Sequence, residues 1–128
     1  HRTSDKVKIS THVPDSLPPV RLNVALFEWV IENLCKNAVD AMGGVGVLVI
    51  SVQETSRYWC IDVADTGKGI DKRYFETVFA PGYTTKKRGW GLGLSLARRI
   101  VVEYHSGSIF VKQSEINKGT IFRIELKK

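Results

Sequence analysis

Apolar and polar residues alternate along KVKISTHV (6–13) and PVRLNV (19–24), the pattern of half-buried strands. At Ala25 the period lengthens. Leu26, Val30, Leu34, Ala38 and Ala41 recur at every fourth position, with a last step of three, which predicts an amphipathic helix from Ala25 to Met42. The pair Gly43-Gly44 ends it. GVLVISVQET (46–55) and RYWCIDVAD (57–65) then read as two strands joined by a tight polar turn. Residues 66–89 hold no long periodic run, and a loop of that length in a compact domain points to function. A second helix is predicted from about Leu92 to His105, with Leu92, Leu96, Ile100 and Tyr104 on one face. GSIFVKQSE and KGTIFRIEL close the chain as a hairpin. This order gives an α+β or α/β sandwich, one sheet covered on one side by helices.

The 128 residues are read as one domain spanning 1–128, with residues 1–5 a linker or cloning remnant. A hydrophobic fraction of 43% and a charged fraction of 25% are ordinary for a soluble globular chain. The longest apolar stretch, Val45–Ile50, is too short to cross a membrane, and the polar start HRTSDK is unlike a secretory signal. Cys35 and Cys60 sit in apolar contexts without metal-ligand spacing and read as reduced core residues, so a cytoplasmic domain is expected. The net charge of +6 gathers in Lys86-Lys87-Arg88, Arg98-Arg99 and Lys127-Lys128. No nucleic-acid reading motif accompanies it, so a solvated surface with one anion site is favoured over nucleic acid or membrane contact.

Three stretches carry candidate chemistry. Asn33, Asn37 and Asp40 share one helix face, at a cost of about 1 kcal/mol or more relative to alanine. The stripe is either solvent-exposed or a source of oxygen ligands for a hard cation such as magnesium. ADTGKGI (64–70) is either a turn or a strand-end carboxylate, Asp65, ready to accept from an exocyclic amine, with glycines admitting a flat ring. TTKKRGWGLGLSLARRI (84–100) fits neither the dinucleotide fingerprint nor the P-loop.

Taken in order, ENLCKNAVDA, DTGKGI, FETVFAPGYTTKKRGWGLGLSLA and the late Gly119-Thr120 pair resemble the GHKL or Bergerat ATP-binding superfamily, most of all the catalytic domain of bacterial sensor histidine kinases. The resemblance runs from about Val20 to Leu126. It implies a two-layer sandwich whose mixed, mostly antiparallel sheet lies under about three helices, with a mobile lid over about 71–91. It implies that Asn37 holds Mg2+ and that Asn33 faces the same phosphates. Asp65 would read the adenine of ATP, Gly67 and Gly69 would leave room for the purine beside Ile70, and Thr120 would support the base through its hydroxyl. Gly89, Gly91, Leu92, Gly93 and Leu94 would hold the triphosphate at the start of the second helix, where backbone N–H groups lack helical partners. Thr84, Thr85 and Lys86 would belong to the lid, whose base Phe75, Phe79 and Tyr83 would pin.

Two positions depart from the commonest pattern of the family. Ala80-Pro81-Gly82 stands for Glu-Pro-Phe, so an aromatic anchor of the lid is either missing or replaced by Tyr83. Asp40 stands where many histidine kinases carry a basic residue, leaving Lys36 or the lid to touch phosphate. Asn33 also occupies the general-base position of the ATPase branches, and an amide takes no proton from water. Glu32 is turned about 100° away. The resemblance thus implies transfer of the γ-phosphoryl of ATP to a histidine on a helical dimerisation and phosphoacceptor domain outside this chain, with a response regulator downstream. None of His1, His12 and His105 has the sequence context of an acceptor, and His12 and His105 read as surface residues. The alternatives are an ATPase or an anti-sigma-like serine kinase module of the same superfamily.

Overall fold

The computed structural model describes residues 6–14, 22–83 and 93–128. Strand β1 (Val7–His12) precedes helix α1 (Val24–Ala41), strands β2 (Gly46–Glu54) and β3 (Tyr58–Asp65), helix α2 (Gly93–Arg99) and the hairpin β4 (Ser108–Glu115) and β5 (Gly119–Lys127). The sheet order is β1-β2-β3-β5-β4. Among the described residues the β1–β2 pairing is parallel and the β2–β3, β3–β5 and β4–β5 pairings are antiparallel.

Asn23 starts α1 by accepting the Leu26 N–H on its side chain. The strand expected over 19–24 is therefore corrected at its described end: Leu22 and Asn23 lie outside any strand, and Val24 opens the helix. The rest of that stretch lies outside the described residues. At the other end, Gly43 (φ +64°) takes the left-handed conformation that stops the helix, as the sequence predicts.

Phe27, Val30, Leu34 and Ala38 form the buried stripe of α1. They pack on one sheet face with Leu48, Ile61, Val63, Ile109, Phe122 and Ile124. Each such side chain withdrawn from water contributes about 1.5–3 kcal/mol.

The second helix departs from expectation. Its buried residues are Ala97 and Val101, whereas Leu96 and Tyr104 are exposed. Ala97 is fully buried, and the backbone passes into a π-helical turn over Ile100–Tyr104.

His105 follows this turn and is half-buried, a correction to its reading as a surface residue. The Asn23 N–H donates to its Nε2 at 3.0 Å. Nε2 must then be the acceptor nitrogen, and Nδ1–H donates to the Ile100 carbonyl, also at 3.0 Å. One ring thus ties the end of the second helical segment to the start of α1, with Phe27 edge-on to it.

On the sheet face opposite α1, Asp62 and Arg123 pair across β3 and β5 through two hydrogen bonds of 2.7 and 2.9 Å. Lys112 adds a third charge at 3.7 Å from Asp62. The hydrogen bond that Arg123 donates to Asp62 raises the guanidinium pKa above its ordinary value. Because the carboxylate is buried, Asp62→Ala should leave the guanidinium without its partner and cost about 2–4 kcal/mol, measurable as a lower urea midpoint.

Candidate functional site

Strand β3 ends at Asp65, directly opposite Thr120 near the start of β5. Cross-strand partners project from the same sheet face, so the register alone brings the carboxyl and hydroxyl groups together. Both are buried. Asp65 Oδ1 accepts the Gly67 N–H at 2.8 Å and the Thr120 N–H at 3.3 Å. Burial pushes the carboxyl pKa above the ordinary aspartate range, and these two hydrogen bonds pull it partly back.

The loop after Asp65 is strapped on two sides. Lys68 N–H donates to the Ala41 carbonyl at the end of α1, while Asn117 N–H donates to the Lys68 carbonyl from the β4–β5 turn. The backbones approach so closely that a Cβ on Gly67 would lie 2.5 Å from the Ala41 oxygen, and one on Gly69 would lie 2.2 Å from the Glu115 oxygen. Ile70 N–H donates to Ser114 Oγ at 2.7 Å, and Ser114 Oγ lies 2.7 Å from Thr120 Oγ1. Sequence reasoning missed Ser114, since a serine on a strand carries no signal of its own.

Asn33, Lys36, Asn37 and Asp40 lie on α1; Asn33 and Asn37 are half-buried, and Lys36 and Asp40 are exposed. Asn33 meets the first residue of α2, where a Cβ on Gly93 would lie 2.6 Å from its Oδ1. Its Nδ2 is buried and has no hydrogen-bond partner among the described residues. Such an atom calls for an acceptor.

Phe79 is buried edge-on to Phe122, with the Arg98 guanidinium 4.7 Å above its ring, and Arg98 also pairs with Glu76. Phe75, Ile70, Tyr83 and Leu94 pack partly buried against the core, and Tyr83 stacks on Tyr74 at 6.5 Å. The structure thus gathers Asp65, Gly67, Gly69, Ile70 and Thr120 around one strand end, and Asn33 with Gly93 between two helices. Thr84, Thr85, Lys86, Gly89, Gly91 and Leu92 lie outside the described residues.

A mixed sheet under helices, with a carboxylate ending a central strand and an amide-bearing helix beside it, defines the class of Bergerat-fold domains. The family model of histidine kinase-, DNA gyrase B- and HSP90-like ATPases matches residues 23–128. The sensor histidine kinase ZraS of Escherichia coli (strain K12) is 35% identical over 123 residues, covering 96% of this chain and 26% of ZraS. The catalytic domain of histidine kinase ThkA in a nucleotide-free form superposes with a TM-score of 0.84 at 28% identity, over 96% of this chain and 80% of that one. ThkA in complex with the response regulator protein TrrA gives 0.80 at 26% identity, over 95% and 34%. This chain belongs to the histidine kinase-, DNA gyrase B- and HSP90-like ATPase family and has the fold of a histidine kinase catalytic domain. It spans about a quarter of the length of ZraS.

Proposed function

We propose that this chain is the catalytic, ATP-binding domain of a two-component sensor histidine kinase, which presents the γ-phosphoryl of Mg-ATP to a histidine on a separate helical dimerisation domain. The observation that carries this reading is the buried Asp65–Thr120 pair at the strand end. A buried carboxylate is stable beside a donor, and the exocyclic amine of adenine is one.

The polar face of α1 fits the other end of the nucleotide. Asn33 Nδ2 offers a buried donor to phosphate oxygens. The Asn37 side-chain oxygen would be the protein's contribution to a magnesium ion that otherwise keeps its waters. The ion would neutralise phosphate charge as the phosphoryl group moves. Among the described residues no three His, Cys, Asp or Glu side chains group to hold a metal. With an amide at Asn33 in place of a general base, the site positions a nucleotide for transfer without activating water.

A cytoplasmic setting and a response regulator as eventual phosphate recipient follow from this reading, whether or not the full-length protein is membrane-anchored. No helix among the described residues is long and apolar enough to cross a membrane.

The isolated chain should not phosphorylate itself. Both ring nitrogens of His105 are engaged, so that imidazole has no free nucleophile. Incubation with radiolabelled ATP is expected to leave no acid-labile phosphate on this chain and to label an added helical acceptor domain. Acid-labile phosphate on the chain alone would sink the assignment.

A further inference from the structure

Ser114 belongs to none of the motifs that define the site, yet its hydroxyl touches three groups around it. Its Oγ receives the Ile70 N–H at 2.7 Å, lies 2.7 Å from Thr120 Oγ1 and reaches the Gly119 carbonyl at 3.1 Å. A shift in the β4–β5 register between Val111 and Gln113 brings Ser114 opposite Thr120. Irregularities of this kind re-aim a side chain.

Counting protons fixes the direction of each bond. The Ile70 contact uses an N–H, so Ser114 accepts there. The Gly119 partner is a carbonyl, so Ser114 must donate there, and a serine has one proton to give. The contact with Thr120 is then satisfied only if Thr120 donates to Ser114. In that arrangement all three contacts are made, and Thr120 Oγ1 has only lone pairs left to show. Beside it stands Asp65, an acceptor in its ionised form.

We infer that Ser114 is a specificity-determining positioning residue: it locks the Thr120 hydroxyl as an acceptor, so that the base pocket takes a purine bearing a 6-amino donor and rejects one bearing a 6-oxo acceptor. The inference rests on the nucleotide-binding reading of the site. An amino group meets lone pairs with hydrogens, whereas an oxo group would face acceptors with no hydrogen between them. Sites built to one hydrogen-bond polarity reject the mismatched ligand because buried groups are left unpaired.

Calorimetric titration of ATP and GTP against the wild type, Ser114→Ala and Ser114→Thr tests this. Ser114→Ala frees the Thr120 proton to swing towards a 6-oxo oxygen, and the ATP-over-GTP preference should fall about tenfold or more. Ser114→Thr keeps a hydroxyl and should restore it. A purely structural role would weaken both nucleotides equally, and an unchanged preference in Ser114→Ala would overturn the inference.

Should Ser114→Ala not fold, the wild type still decides. The triphosphate of purine riboside, which has no 6-substituent, should bind more tightly than inosine triphosphate, which has a 6-oxo group. Equal binding of the two would mean that the hydroxyl donates freely, against the inference. Loss of ATP binding in Asp65→Asn establishes the site separately. A wild type that binds ATP but is indifferent to Asp65→Asn refutes the site reading, and the inference with it.

Discussion

Replacing Asp65 by asparagine should abolish measurable ATP binding while leaving the fold as stable as before, or more so. The asparagine oxygen can still accept from Gly67 and Thr120, so the strand end and its loop keep their hydrogen bonds. Its NH2 group, however, would confront the adenine amine, donor against donor. Losing a charge-assisted hydrogen bond and leaving both donors unpaired costs about 3 kcal/mol or more, roughly a hundredfold in Kd. Stability moves the other way. Burial raises the Asp65 pKa in the folded state, so the native protein holds this proton more firmly than the unfolded chain. Its contribution is therefore fully present below the unfolded pKa and is lost as pH rises through the raised folded value. At neutral pH the wild type carries the cost of a buried charge and the asparagine variant does not. Binding should show the reverse pH dependence, weakening as acid protonates Asp65 at a pH above the ordinary aspartate range. Calorimetric titrations and thermal melts of both proteins across that range would check both signs. Undiminished ATP affinity in the variant would refute the base-reading role.

Gly119→Ala should be the most damaging single-methyl change near the site, lowering stability by about 3 kcal/mol or more. Two effects add. Gly119 sits at φ +134°, where side-chain-bearing residues are strained, and its Cβ would fall 2.0 Å from the Asp65 carbonyl oxygen. That oxygen is backbone in a central strand and has no rotamer by which to escape. Any relief must shift Asp65 or Thr120, so surviving folded protein should also bind ATP more weakly. Urea denaturation followed by circular dichroism would measure the loss. A midpoint within error of wild type would show that the hairpin accommodates the methyl.

The sequence made the carboxylate of Asp65 visible because a β-branched strand ends there and two glycines follow within four residues. The α1 stripe was visible because Asn33 and Asn37 are poor helix formers repeated on one face. Ser114 was invisible, because its role depends on a register shift in β4 that no local pattern encodes. His105 looked like an ordinary helix end, since its partner Asn23 lies 82 residues away in the chain. The buried face of the second helix was misread because periodicity favours large residues, and one of its two fully buried positions is the small Ala97. Local chemistry is readable one segment at a time, whereas register and close approach belong to pairs of segments.

The sheet order has a consequence for a chain still being made. Strand β5 comes after every other element described, yet lies between β3 and β4. Until it arrives, the apolar run YWCIDVAD of β3 has one unpaired edge, the kind of surface that other chains add to. Thr120 is likewise missing from its place opposite Asp65. A nascent chain that has emerged only as far as β4 therefore has a sticky edge and half a pocket. On the proposed reading of the site, nucleotide capture would mark completion: only a molecule whose β5 has threaded into the middle of the sheet would hold ATP, and bound ATP would in turn resist the withdrawal of that strand.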